Sequence, residues 1–242
     1  MYILLKKELK LLLYNTPVYI VIALILLSAA LFLWISPNAD TNLLKNQYVS
    51  MDSFNYILPW LLLLGIPAIC MKSFAEEIKD GTLDLLKTSN VNKLYILLAK
   101  FISNLLIILL CLVPTLIYVI SVNQLTLNDT LHPDVIISSY FSLILLSMCF
   151  ISISLFASIV SPSQIIAFIL AFFICFLFFS GLDSISNINS VEQLDWIIKS
   201  LSLNEHYMNL NRGLIKIYSL IYMLSLVYLF LLFSYIILRF RT

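Results

Sequence analysis

Charged side chains are scarce in this sequence. Asp, Glu, Lys and Arg make up 11% of 242 residues, where a soluble globular chain carries about 25%. Histidine is rarer, with only His132 and His206, far apart. No His-Glu-x-x-His occurs, and no His/Cys/Asp set has metal-ligand spacing, so no metal site is expected. Glycine occurs four times, as Gly65, Gly81, Gly181 and Gly213, and none precedes a lysine. A phosphate-cradling Gly-x-x-x-x-Gly-Lys-Ser/Thr loop is thereby excluded. Cys70, Cys111, Cys149 and Cys175 fall in different apolar runs without a Cys-x-x-Cys pair, and read as small hydrophobes. The many serines of those runs have no His or Lys beside them, which leaves intramembrane hydrolysis without support. No catalytic residue and no cofactor of this chain's own are expected. A net charge of +1 carries no nucleic-acid signal, and no nucleic-acid partner is expected.

Apolar length is abundant instead. Hydrophobic residues reach 62%. Six runs, Tyr19–Ile35, Ile57–Met71, Phe101–Val122, Val135–Val160, Ile165–Leu182 and Ile217–Leu238, hold almost no ionisable group. With their flanks each meets the roughly 20 residues of a spanning helix. A barrel would need short alternating strands, and none is visible. The expectation is an all-α integral membrane protein, one domain over 1–242, with spans at 17–36, 54–73, 94–122, 135–160, 163–182 and 214–238. The first run is too long for a signal-peptide core, and Trp34-Ile35-Ser36-Pro37 offers no small-x-small cleavage site, so it reads as a retained span.

Lysine and arginine set the orientation. Lys6, Lys7, Lys10, Lys72, Lys79, Lys87, Lys93, Lys100, Arg239 and Arg241 fall on one side, against Lys45, Lys199, Arg212 and Lys216 on the other. Both termini are expected in the cytoplasm of a multi-pass plasma-membrane protein. Residues 1–15 interleave leucines with lysines and read as an interfacial helix on the bilayer, or else as an ordinary basic N-terminus. Lys100, at the base of the third span, is expected to snorkel to the headgroups.

The middles of the spans hold no charge, which disfavours an ion-driven carrier. Asn104 reads as a helix–helix hydrogen bond. Pro59, Pro67 and Pro114 interrupt helices, as packing features or as hinges. Ser154, Ala157, Ser158 and Ser161 stand at i, i+3, i+4 and i+7, a strip of small residues for a close helix approach. That strip serves either packing within the chain or contact with a second copy. In the outer segment 183–213, Ser190-x-x-Gln193 can cap a short amphipathic helix running through Leu201.

One cytoplasmic stretch breaks the pattern. Lys72, Glu76, Glu77, Lys79, Asp80, Asp84 and Lys87 crowd into residues 71–90, with Leu83, Leu85 and Leu86 among them. Charge and leucine together fit a solvated loop, or a short helix pressed into a partner with the leucines as anchors and the charges as rim. Gly81 allows a turn between two helical pieces.

The stretch Phe74-Ala75-Glu76-Glu77-x-x-x-Gly81-Thr82-Leu83-Asp84-Leu85-Leu86-x-Thr88 resembles the coupling segment of type-2 ABC exporter permeases. Six spans, an N-terminal surface helix and a small outer helix before the last span match that family as well. Pro59-Trp60, Ser163-Gln164-Ile165-Ile166-Ala167-Phe168, Ser202-Leu203-x-x-His206-Tyr207 and Asn211-Arg212-Gly213-Leu214-Ile215 resemble, more narrowly, the gliding-motility-associated ABC permease subunits of Bacteroidetes. Two departures stand out. Asn90 occupies a place where that family often has proline, and Lys216, Tyr218 and Ser219 replace an Asp and an Arg-Asp pair.

The resemblance implies a permease subunit of the bacterial inner membrane. ATP and Mg would be bound by a separate ATP-binding cassette subunit. Glu76, Glu77, Asp80, Gly81, Thr82, Leu83, Asp84, Leu85, Leu86 and Thr88 would make the coupling contact, with Glu77 and Asp84 as its charged contacts. A second permease copy or related chain would complete the pathway. A membrane-anchored accessory subunit with a large outer domain is the further implied partner, with His206, Tyr207, Arg212 and Gly213 as candidate contacts. The alternative from another class is a non-transporting membrane scaffold regulated by an ATPase.

Overall fold

The computed structural model describes residues 2–35, 52–81, 92–125, 133–186, 199–211, 213 and 216–240. Among these, every regular element is helical. Helix α1 (Tyr2–Tyr14) is followed almost at once by α2 (Thr16–Trp34). Asn15 sits between them in an extended conformation, and Pro17 occupies the first turn of α2, where a missing N–H is harmless. Next come α3 (Asp52–Cys70) and α4 (Lys72–Lys79). The long helices α5 (Lys93–Leu125) and α6 (Pro133–Val160) follow. Helix α7 (Gln164–Phe176) runs through a π-helical turn, Leu177–Gly181, into α8 (Leu182–Ser186). Helix α9 (Leu203–Asn211) precedes the last, α10 (Ile217–Phe240).

Six helical stretches are long and apolar enough to cross a membrane: Thr16–Trp34, Phe54–Lys79, Lys93–Ser121, Asp134–Val160, Gln164–Ser184 and Ile217–Phe240. Their burial is unequal. The fourth is 78% buried, while the first and fifth are each 22% buried. Helix α6 is therefore the mast of the bundle, and α2 and α7 turn most of their surface outward to lipid.

Serine explains how α6 can be so enclosed. Ser142, Ser147, Ser152 and Ser154 bend their hydroxyls back to carbonyls three or four residues earlier, at 2.6–2.8 Å. Each hydroxyl is satisfied locally, and the small side chain lets neighbouring helices come close. A similar approach joins the first two spans. A Cβ at Gly65 would meet Ile25 Cδ1, the movable end of a side chain, so glycine there lets Ile25 of α2 pack close on α3.

After the second span the helix breaks at Met71 and resumes as α4 to Lys79, so of the two readings of this stretch, loop or short helix, its first part is helix. The turn that ends it includes Gly81, which adopts φ +68, a conformation glycine takes readily. Helix α9 and the π turn were not foreseen. The capped helix expected from Ser190 onward falls mostly outside the described residues, as do Thr82–Thr88, Asn90 and Arg212.

Candidate functional site

The lysine-rich end of the bundle gathers the charge that the spans lack. Three elements meet there: α1, the first turns of α5, and α4. Lys100 is at their centre, 2% exposed. Its Nζ lies 2.8 Å from Glu77 Oε1 and 3.1 Å from Glu8 Oε2. It also donates to the carbonyl of Ser73 at 2.7 Å and stands 5.0 Å from the Phe74 ring centroid. The Lys100 side chain does not snorkel to headgroups as expected. A buried ammonium needs charge and acceptors around it, and two carboxylates and a carbonyl supply them here. One turn further along α5, Asn104 donates to the Lys100 carbonyl at 2.8 Å and to Ser73 Oγ at 3.2 Å. The helix–helix role expected of Asn104 is the one it has.

This cluster fixes α1. Glu8 and Leu12 are the buried residues of that helix, while Lys6, Lys7 and Lys10 are exposed. The N-terminal helix is thus held by an ion pair to the third span, beyond any hold that the bilayer provides.

Helix α4 is held a second time, by Ser158 of α6. Ser158 Oγ accepts from the N–H groups of both Phe74 and Ala75 at 3.0 Å, and donates to the Met71 carbonyl at 3.1 Å. Ala75 N–H would reach Met71 O directly in an unbroken helix. The serine hydroxyl stands between them, and a side chain inserted into this ladder is a recognised cause of a helix break. Of the strip Ser154, Ala157, Ser158 and Ser161, all four are buried within this chain.

A cavity of about 170 Å³ opens beside the cluster, lined by α1, α4 and α5. Glu76 and Asp80 border it. Glu76 is partly exposed, and Asp80 and Gly81 are exposed. Glu77, expected as a charged partner contact, directs one carboxylate oxygen to Lys100. The remaining expected contacts on this segment, Thr82, Leu83, Asp84, Leu85, Leu86 and Thr88, lie outside the described residues.

The opposite end has its own polar network. His206 is stacked on Tyr222 with ring centroids 4.3 Å apart. Its Nδ1 is 3.1 Å from Ser219 Oγ and its Nε2 2.8 Å from the Ser200 carbonyl. Tyr207 is fully buried and donates to the Asn55 carbonyl at 2.9 Å. Burial pushes its phenol well above the ordinary range, so it stays a neutral donor. Both residues, expected as accessory-subunit contacts, are buried here and pack α9 into the bundle, where their polar atoms find partners. Gly213 is exposed at the turn that follows.

Sequence reasoning missed Glu8, Lys100 and Ser158 as members of this site. A usable signal existed for two of them. Glu8 is the only acid among the lysines of α1, and Lys100 directly adjoins the third apolar run.

Among the described residues no group of His, Cys, Asp and Glu could hold a metal ion. Six apolar helices around a serine-rich mast, with charge confined to the ends, define a multi-pass membrane protein. The family model described as ABC-2 family transporter protein matches residues 2–242, and the chain belongs to that family. It is therefore a membrane permease subunit of an ABC transporter, and its family implies an ATP-binding subunit as partner. No curated protein matches the chain significantly.

Proposed function

We propose that this chain is the permease of an export-type ABC complex, similar to the gliding-motility-associated systems, and that residues 74–90 couple it to a separate ATP-binding subunit. The supporting observation is the double fastening of α4. Its N-terminal turn is tied to the fourth span through Ser158, and Glu77 is tied to the third span and α1 through Lys100. A displacement of the 76–88 segment would reach two spans and the N-terminal helix at once. Glu76, Glu77, Asp80 and Gly81 supply the near half of the contact, and Thr82, Leu83, Asp84, Leu85, Leu86 and Thr88 the far half. ATP and Mg would be held by the partner.

The lysine excess at this end favours a cytoplasmic position for it and for both termini, in a bacterial inner membrane. A second copy of the chain, or a related permease, would complete the pathway. A membrane-anchored accessory subunit would engage the outer end, where His206, Tyr207, Arg212 and Gly213 are the candidate contacts.

Purification of the tagged chain in mild detergent tests the reading. A subunit with a Gly-x-x-x-x-Gly-Lys-Ser/Thr loop is expected to co-purify. Replacing Leu83, Leu85 and Leu86 by alanine together with Asp84→Lys should abolish its retention. Undiminished retention and ATPase activity in that variant would sink the coupling assignment.

A further inference from the structure

Proline interrupts the second span at Pro59, and the gap it leaves is filled from another helix. In an unbroken helix the Asn55 carbonyl would accept the N–H of residue 59. That residue is Pro59, which has no N–H. Tyr207 of α9 supplies a donor in its place, its hydroxyl 2.9 Å from the Asn55 carbonyl. Asn55 and Tyr207 are 3% and 0% exposed, so the bond is made out of reach of solvent. The Asn55 side chain in turn donates to Ser139 Oγ of α6 at 3.3 Å.

The Pro59 break lies against a second irregularity. Trp60, the next residue, packs edge-on against Phe179, with ring centroids 5.4 Å apart and planes at 88°. Phe179 is the middle residue of the π turn, and its ring also meets Phe150 of α6 at 6.0 Å. The chain entering α9 reaches the same place. Ser202 Oγ donates to the Phe179 carbonyl at 3.3 Å, and Asn204 donates to Asp183, just past the turn, at 3.1 Å. Proline breaks and π turns are the recognised sites of helix bending, and π turns inside helices recur at functional positions. Here one of each, in different spans, touch each other, and one short stretch, 202–207, bonds to both.

We infer that Pro59 and the π turn form a single bending joint of the second and fifth spans, and that α9 is the strap that locks it through Tyr207. The lock is a hydroxyl on a carbonyl that has no helical donor. Once it is released, no helical hydrogen bond at that carbonyl resists bending at Pro59. Trp60 and Phe179 carry the bend into the fifth span, so the lysine-poor ends of both spans move together. The inference is independent of where the ATP-binding subunit docks.

The test is a double-mutant cycle read by amide hydrogen exchange on the full chain in lipid nanodiscs. Tyr207→Phe keeps the ring and removes the lock. Exchange over residues 56–62 should accelerate about fivefold, the scale of one hydrogen bond, and residues 178–184 should accelerate with it. Residues 66–70, beyond the joint, should not change. Pro59→Ala restores an N–H to the Asn55 carbonyl. In that background Tyr207→Phe should alter exchange by less than about twofold, because the two donors serve one acceptor. Pro59→Leu supplies the same N–H on a larger side chain, and takes the place of the alanine variant if that one does not fold.

An equal acceleration with and without Pro59 would show that the hydroxyl does not fill the proline gap. Acceleration confined to residues 56–62 would separate the two irregularities. Either result, or no acceleration in Tyr207→Phe, overturns the joint.

Discussion

Lys100 and Glu8 are 92 residues apart in sequence, and their charged atoms are 3.1 Å apart. That contact turns the N-terminal helix from a membrane-surface feature into a structural part of the bundle. The same ammonium holds Glu77 at 2.8 Å, so one cation joins the start of the chain to the segment after the second span.

Removal of this cation should be among the more damaging substitutions at this end. Lys100→Met removes the ammonium that two carboxylates, 10% and 17% exposed, share. Breaking a buried pair from one side costs about 3 kcal/mol. Thermal unfolding in detergent should show a clear drop in Tm. Adding Glu8→Gln and Glu77→Gln to that variant should recover part of the loss, since the orphaned charges are then gone. Additive losses across the three substitutions would contradict the coupling of these groups.

Ser158→Ala should loosen α4 selectively. The substitution strips an acceptor from two backbone N–H groups and a donor from one carbonyl. A loss of about 2 kcal/mol is expected. Hydrogen exchange at Phe74 and Ala75 should accelerate. Ser147→Ala is the control, because Ser147 Oγ donates to the Ile144 carbonyl of its own helix. Equal exchange in the two variants would argue against Ser158 as the fastening.

At the other end, Tyr207→Phe keeps the ring and loses the hydrogen bond to the Asn55 carbonyl. A cost of about 1 kcal/mol is expected, visible as a small fall in Tm. Tyr207→Ala should cost several-fold more, since a fully buried aromatic side chain leaves a cavity. Similar effects for the two variants would show that the hydroxyl, not the ring, anchors α9.

Gly81→Ala isolates a backbone effect. Glycine has φ +68 there, and a Cβ would meet nothing within 4 Å. The penalty is conformational alone, about 1 kcal/mol. Because the chain leaves α4 at this point, the variant should weaken stimulation of the partner's ATPase more than it lowers stability. Gly81→Asn should be milder, as Asn tolerates this region better. Full stimulation in the alanine variant would separate the turn from coupling.

Much of the architecture was legible because it follows from hydrocarbon thickness. Six apolar runs, a basic N-terminal segment and the absence of a nucleotide loop are one-dimensional properties. Contacts were not legible where they depend on tertiary meeting. Nothing local to Lys100 says that Glu8 and Glu77 will reach it, and a lysine beside an apolar run ordinarily goes to the headgroups. Ser158 looked like one of several small residues, since spacing reports size and not which hydroxyl intrudes on a neighbouring helix. His206 and Tyr207 read as outer-segment residues because their partners, Ser219 and Asn55, come from different spans.

The π turn at Leu177–Gly181 sets a rotational phase for everything that follows in the fifth span. A π turn holds one residue more than an α turn, so its removal would swing the next segment by about 100° about the helix axis. Asp183, which now accepts from Asn204 at 3.1 Å, would be carried out of reach. A one-residue deletion within 177–181 should therefore act at a distance. It would leave an apolar helix of adequate length and misalign the strap between the fifth span and α9, as a gear mounted one tooth out fails to mesh.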